Sequence, residues 1–472
     1  MTTFELHASQ TVPADPDRVW AFFSDPANLG RITPPSMDFA MRTAAPRMAE
    51  GALIDYTVRP LFGVPLPWRT EITDYSPPRS FRDVQLRGPY RRWEHSHTFV
   101  PTADGTRIDD HVTYELPLGP LGRVAHRWVV RGELERIFSY RARAIADMFE
   151  PAGHMTDPRN VIVAGGTGFV GSAIARELRR RGHRVIVVSS RGEAGRRSLP
   201  DDIEIRYADV RDQAAVSAAV RDADALIIAL AFRNSPMESP RRGQTFDAVD
   251  AAGTEHLVAT ARANGIPRLI YLSGAGAAPD AERHWFRAKW RAEEAVRRSG
   301  IDWTIIRPTW IYGPDDVSLN RFLGFARSLP VVPMTNRGNQ LLAPVFIDDV
   351  ARLAADGLVE PAAIDRVFEV GGPETLRMRD IIATAIRQAG VRRPILPGPT
   401  PLIKAAAWPL SLLPEPPLTP DAVDFVNQPA TVDNGPLLEA MPRRLTPLEE
   451  GLGTYVGPVD QPKAAIEFSR AA

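Results

Sequence analysis

The stretch Asn160-Val-Ile-Val-Ala-Gly-Gly-Thr-Gly-Phe-Val-Gly171 decides how this chain folds. Val161–Ala164 is a short apolar run of the kind a buried strand needs. Glycines follow at 165, 166, 168 and 171, and Ile174 and Leu178 then share one face of a helix that runs toward Gly182. Strand, glycine turn and helix in this order form the first unit of a dinucleotide-binding fold. Gly165 makes the turn, Gly168 lets backbone approach a pyrophosphate, and Gly171 lets helix and strand pack closely. The helix start then offers unpaired N–H groups and the positive end of its dipole to phosphates. Thr167, Phe169 and Val170 lie among these glycines and join Gly165, Gly168 and Gly171 as expected cofactor contacts.

Bulk composition narrows the remaining classes. The chain has 472 residues, enough for two or three domains. Lys+Arg and Asp+Glu number 57 each, so a zero net charge argues against a nucleic-acid partner. With no cysteine, disulfides, thiolate metal sites and cysteine nucleophiles are excluded. The first residues lack the basic and apolar regions of a signal peptide, and no apolar run approaches a transmembrane segment. A cytoplasmic protein is therefore expected. Oligomeric state leaves no mark in the sequence.

Residues 1–150 read as strand, two short helices, several antiparallel strands and a long helix. Phe4–Val12 is the first strand, and Asp15-Pro16 and Asp25-Pro26 open the short helices. Leu53–Val58, Trp68–Asp74, Phe81–Leu86, Trp93–Val100 and Thr106–Leu116 are strands divided by turn residues. Gly122–Glu150 carries a helical stripe through Leu134, Phe138, Ile145 and Phe149. This is the order of a helix-grip fold. On Ile32-Thr-Pro-Pro35, Gly88-Pro-Tyr90, Trp93-Glu-His-Ser-His97 and Asp110–Gly119, the region resembles the SRPBCC, or START-type, ligand-binding superfamily. The resemblance implies a cavity for an apolar small molecule. His95 and His97 share a strand face and invite a metal reading, but no third ligand is visible. Pocket-lining histidines are the expectation, and no metal is assigned.

Pro151 to Arg159 reads as a linker, and residues 160–472 as the second domain. Strands at Arg184–Val188, Ile203–Tyr207, Ala225–Leu230, Arg268–Ser273 and Trp303–Ile306 alternate with helices. That alternation argues for a parallel sheet covered on both faces. The chain as a whole is therefore an α+β helix-grip domain followed by an α/β doubly wound, parallel-sheet Rossmann domain. After the second strand, Ser190 and Arg191 stand where an NAD site places a carboxylate, so NADP(H) is preferred over NAD(H). A solvated loop arginine is the bland alternative. Asp209 and Val210 fall at the adenine edge, and Leu230 and Ala231, at and just past the end of the fourth strand, are further expected cofactor contacts.

These pieces, with Ile270-Tyr-Leu-Ser273, Arg307-Pro308, Val345–Ala351 and Phe368–Glu374, resemble the short-chain dehydrogenase/reductase superfamily in its extended or atypical branch. The resemblance covers roughly 160–375. It is nearest the group containing the NADPH-binding accessory subunit of respiratory complex I and the NmrA-like proteins. It implies that Lys289 binds the nicotinamide ribose, with Ser273, Arg307 and Pro308 bordering the same pocket. The family's chemistry uses Tyr-x-x-x-Lys, whose tyrosine passes a proton to the substrate oxygen. Here Lys289 fits and the tyrosine position is Trp285, whose indole N–H is no acid or base. His284 and Tyr312 are the substitute acids, so Lys289 and His284 are the catalytic candidates. Two functions stay open: an NADP(H)-dependent oxidoreductase acting on an apolar carbonyl or quinone-like molecule, or a non-catalytic NADP(H)-dependent sensor or assembly factor. In either, the first domain is expected to hold an apolar ligand. The proline-dense stretch Pro394–Pro420 cannot be one helix, and its Leu402, Ile403, Trp408, Leu410, Leu412 and Leu413 suggest an apolar lid or a segment packed on the core.

Overall fold

The computed structural model describes residues 2–59, 65–117, 126, 130–197, 199–232, 235–411, 419–456 and 465–470. The chain divides into two compact units, Met1–Pro151 with Pro458–Ala472, and Ala152–Gly457.

The first unit is an antiparallel sheet holding one long helix. The sheet order is Ala40–Met41, Leu53–Val58, Leu66–Ser76, Ser80–Arg87, Arg92–Thr102, Gly105–Glu115, Thr3–Val12 and Ala465–Arg470. Alternation along the strands sets the inner face: Trp93, His95, His97 and Phe99 are buried on one strand, and Ile108, Asp110, Val112 and Tyr114 on the next. The helix Arg131–Phe149 buries Leu134, Phe138, Arg141, Ile145 and Phe149. Residues 122–125 and 127–129 of the longer helix expected from sequence lie outside the described residues. Asp15 accepts a hydrogen bond from the Arg18 N–H and caps Pro16–Phe23, and Asp25 caps the turn Pro26–Arg31.

Two boundaries differ from the sequence reading. The second domain does not run to 472, because Ala465–Arg470 pairs with the first strand, from Phe4↔Arg470 to Ser9↔Ala465. Ile466 and Phe468 alternate with Glu467 and Ser469, the period of a strand, and the pairing covers an otherwise open sheet edge. Nor is the stretch before 160 a free linker. Gly153 donates its N–H to Arg179 O at 3.1 Å, and Arg159 Nη1 donates to Leu358 O at 2.7 Å, so the second unit begins at Ala152.

The second unit is built on a seven-stranded sheet in the order Glu204–Tyr207, Arg184–Ser189, Asn160–Ala164, Ala225–Ile228, Arg268–Leu272, Asp302–Pro308 and Arg366–Val370. Every pairing is parallel. Strand order reverses between Asn160–Ala164 and Ala225–Ile228, and a doubly wound sheet opens a crevice at such a switch point. Apolar clusters cover both faces. The helix expected over Asp247–Asn264 is a π-helical turn, Phe246–Ala252, running into an α-helix, Gly253–Ala263. Past the sheet, Thr400–Leu410 and Pro420–Asn427 are separate helices, and Leu412 and Leu413 lie outside the described residues. Leu402 and Trp408 are exposed rather than packed on the core. Among the described residues no helix is long and apolar enough to cross a membrane.

Candidate functional site

The glycine turn lies at the switch point. Gly165 has φ +79°, and a Cβ there would sit 2.4 Å from Ala229 O at the end of the fourth strand. A Cβ on Gly171 would lie 2.4 Å from Gly165 O, so loop and helix approach to backbone contact. The helix Phe169–Arg180 starts on Gly168 with no side-chain cap, which leaves its first N–H groups for a ligand. Phe169 and Val170 pack half-buried beneath this end. This is a cradle that side chains would fill, and it fits a nicotinamide dinucleotide.

The rim of the cradle comes from neighbouring strand ends. Thr167 Oγ1 and Ser189 Oγ are 2.7 Å apart. Exposed Arg191 reaches back over the loop, and its Nη2 donates to Thr167 O at 2.5 Å and Thr167 Oγ1 at 2.9 Å. Ser190 is exposed beside it. Asp209 pairs with Arg211 at 2.5 Å, which holds its carboxyl below the ordinary range. Val210 O accepts from His256 Nδ1 at 2.8 Å, and Val210 packs against Gly253. Leu230 is buried beside Gly165 and Ala231 is exposed.

Other expected contacts are committed elsewhere. Ser273 Oγ donates to Glu293 Oε1 at 2.5 Å, and Arg307 meets both Glu293 oxygens at 2.8 and 2.7 Å. Arg297 adds a donor at 2.6 Å. Glu293 is 0% exposed, so the side chains of Ser273 and Arg307 fasten helix His284–Arg297 to the sheet instead of lining the cradle. Pro308 is buried, and its carbonyl accepts from Ala275 N–H at 2.9 Å. Tyr312 is removed as an acid: it is 0% exposed, and burial pushes its phenol up.

Lys289 is ion-paired rather than free. Its Nζ lies 2.7 Å from Asp250 Oδ1 and donates to Leu272 O at 3.2 Å. Burial opposes the ammonium, but the Asp250 carboxylate outweighs it and raises the lysine pKa. Asp250, on the π-helical turn, is not visible as a partner in sequence. Nearby, Asp250 Oδ2 and Trp285 Nε1 are buried with no hydrogen-bond partner among the described residues. Such orphans mark a place where a bound group can complete the bonding.

Trp285, 3% exposed, packs among Phe246, Phe286 and Phe425, the last at 5.6 Å between ring centres. His284 is different. Its side chain is 41% exposed and its Nε2 lies 3.0 Å from Glu238 Oε2. The other Glu238 oxygen accepts from Phe246 N–H at 2.7 Å, so the imidazole is held in place by an anchored carboxylate. A cleft of about 420 Å³ lies at the opposite, amino-terminal edge of the sheet, between Arg159, Asp224, Arg268 and Asp302. It has no part in the cradle, since doubly wound sheets bind ligands at the carboxyl ends of their strands.

In the first unit, Asp83 from the adjoining strand stands against His95 and His97, so the third ligand group not seen in sequence is present.

Both units resemble known proteins. A family model described as NAD(P)H-binding matches residues 165–323, and one described as polyketide cyclase / dehydrase and lipid transport matches 3–144. The chain is 28% identical over 237 residues to the mitochondrial NADH dehydrogenase (ubiquinone) 1 alpha subcomplex subunit 9 of Arabidopsis thaliana. That match covers 48% of this chain and 58% of the relative, less than two thirds of its length. It is 30% identical over 248 residues, 49% of this chain and 74% of the relative, to (4-alkanoyl-5-oxo-2,5-dihydrofuran-3-yl)methyl phosphate reductase of Streptomyces griseus. Among solved structures, the NAD complex of UDP-glucose 4-epimerase from Thermus thermophilus superposes at TM-score 0.50 with 21% identity. It covers 63% of this chain and 97% of that one, a likeness of fold.

Proposed function

The chain belongs to the NAD(P)-binding, short-chain dehydrogenase/reductase-like proteins, with an SRPBCC-type domain ahead of the nucleotide-binding one, and from that premise we propose that it is an NADP(H)-dependent reductase of an apolar carbonyl or quinone-like molecule. The observation that carries this reading is Arg191 seated on Thr167 of the glycine loop. A guanidinium there suits a 2′-phosphate. When bound, the reduced nicotinamide supplies a hydride. The protein supplies the rest. The Gly165–Gly171 loop holds phosphates, and the rings around Trp285 keep water away from an apolar substrate. His284, fixed by Glu238, holds a proton for the substrate oxygen. The Streptomyces relative, by its name a reductase of an alkanoyl-bearing furanone methyl phosphate, supports reduction as the reaction. The first unit, in this reading, holds an apolar molecule of the same kind against Tyr56, Trp68 and Trp93. Titrating tryptophan fluorescence with each compound checks that part, and a flat response throughout would remove it.

The test is nucleotide oxidation with a panel of apolar ketones and quinones. NADPH should be consumed above the blank with at least one of them. Arg191→Asp should weaken NADPH by ~10–100-fold and NADH only slightly. His284→Ala should lower kcat by about 10²-fold at unchanged nucleotide affinity. Tight NADPH binding with no turnover would favour the second reading, a non-catalytic sensor or assembly factor. Buried Trp285 at the tyrosine position supports that alternative, as does a relative named as an NADH dehydrogenase subunit.

A further inference from the structure

The interior of the first unit contains a polar layer that neither its apolar packing nor the nucleotide site uses. One apolar cluster contains Phe99, Ile108, Ile145 and Phe149; a second contains Trp93, Val112, Leu134 and Phe138. Between them the same strands and helix carry His95, His97, Asp110 and Arg141, all buried, with Asp83 part-exposed beside them. Burying these charges costs several kcal/mol that an apolar layer would not.

The layer has the geometry of a ligand set. Strand register puts Asp83 opposite His95 and Asp110 opposite His97. One ligand atom each from Asp83, His95 and His97 lies within 4.8 Å of the others. His97 Nε2 is 3.2 Å and His95 Nδ1 3.9 Å from the same oxygen, Asp83 Oδ2. Ligands about 2.0–2.2 Å from a tetrahedral ion stand roughly 3.3–3.5 Å apart, so small adjustments close the set. The other ring nitrogens both turn to Asp110 Oδ1, His95 Nε2 at 2.9 Å and His97 Nδ1 at 2.6 Å. Arg141 in turn donates to both Asp110 oxygens at 3.1 Å. A carboxylate that fixes the far nitrogens of ligating imidazoles is the common outer partner of a metal site.

We propose that Asp83, His95 and His97 bind a divalent first-row cation of the zinc type, with Asp110 as the positioning residue for both imidazoles. Two histidines and one carboxylate leave coordination open to water or a ligand, the pattern of reactive rather than purely structural sites. Tyr56 and Trp68 stack at 5.8 Å and Trp68 meets Trp93 edge-on at 5.6 Å, which walls this part of the interior with rings.

The full-length protein, stripped with a chelator, would be titrated with Zn²⁺ and with Co²⁺ as its coloured surrogate, with unfolding temperature recorded alongside. One equivalent should bind and give the ligand-field absorption of a four- or five-coordinate nitrogen/oxygen site. Asp83→Ala should weaken binding by at least ~100-fold, and Asp110→Asn by ~10–100-fold. His7→Ala, in the separate Glu5–His7–His111 group, should leave binding unchanged. No stoichiometric binding by the folded wild type would overturn the proposal. So would full affinity in folded Asp83→Ala or Asp110→Asn, or loss of binding in His7→Ala.

Discussion

Both units bury charge, and they do so differently. In the second unit, Glu293 sits on a helix and takes donors from Ser273, Arg297 and Arg307, tying that helix to two strand ends. In the first, Asp83, His95, His97, Asp110 and Arg141 form a layer through the middle of the core. Glu293 acts as a fastener: its oxygens are fully used and nothing is left for a ligand. The layer joins elements that apolar contacts already hold together, and two imidazoles and a carboxylate there converge on one point. Buried charge with saturated partners is architecture, whereas buried charge with converging, exchangeable atoms is a site.

The largest effect expected from this contrast is at Glu293. Glu293→Ala leaves Arg307 only its 3.7 Å contact with Glu369 and leaves Ser273 without its acceptor. Breaking a buried pair from one side costs about 3–5 kcal/mol. Chemical denaturation should show that loss in the transition of the second unit while the first is unmoved. A loss under about 1 kcal/mol, the range of a surface pair, would end the fastener description.

Asp316 sharpens the same contrast, since it is a buried carboxylate that no cation among the described residues bonds. It caps helix Val317–Ser328 by accepting from Ser318 and Leu319 N–H at 2.9 and 2.7 Å. Burial raises its pKa from 3.8 to about 7. Between those values the folded protein holds a proton that the unfolded chain has released, so stability falls as pH rises through the window. Asn keeps the cap without the charge. Asp316→Asn should therefore stabilise the second unit at pH 8 by about 2–4 kcal/mol and flatten its profile between pH 4 and 7. Unfolding temperatures across that range decide it, and an unchanged slope would place the charge elsewhere.

Much of this fold is legible in the sequence because its signals are local. The glycines from 165 to 171 sit on consecutive turns of chain, and alternating residues such as Trp93, His95, His97 and Phe99 reveal a strand face without reference to its neighbours. Arg191 is legible for the same reason, since its position after the second strand sets where it can reach. The partners of Ser273, Arg307 and Lys289 are not legible. Glu293 and Asp250 meet them across helix–strand packing, and no spacing rule fixes which carboxylate arrives. Asp83 and Asp110 depend on strand register, which a single sequence leaves free until the pleats are paired. Asp110 still leaves a trace, as a charge on the alternating inward series Ile108, Asp110, Val112, Tyr114. Arg141 leaves another, between Phe138 and Ile145 on the buried helical stripe.

The smallest effect tests the boundary between the units. The strand Ala465–Arg470 belongs to the first unit through its ladder with Thr3–Val12, reinforced by Ser469 Oγ donating to Glu5 Oε2 at 3.2 Å. The pairing joins residues 464 positions apart in sequence, so no local signal could announce it. Its apolar contribution is modest, Ile466 and Phe468 being only half-buried. Ending the chain at residue 457 should cost the first unit on the order of 1–2 kcal/mol, because each ladder bond contributes little net energy and water replaces part of it. The exposed edge should show more plainly as association, since an unpaired strand is a template for another chain. Calorimetry should therefore find the first transition lowered and the second unmoved, with light scattering rising at the temperature where the first unit opens. If the second transition falls instead, the terminal residues support the nucleotide-binding unit and the boundary near 458 is misplaced.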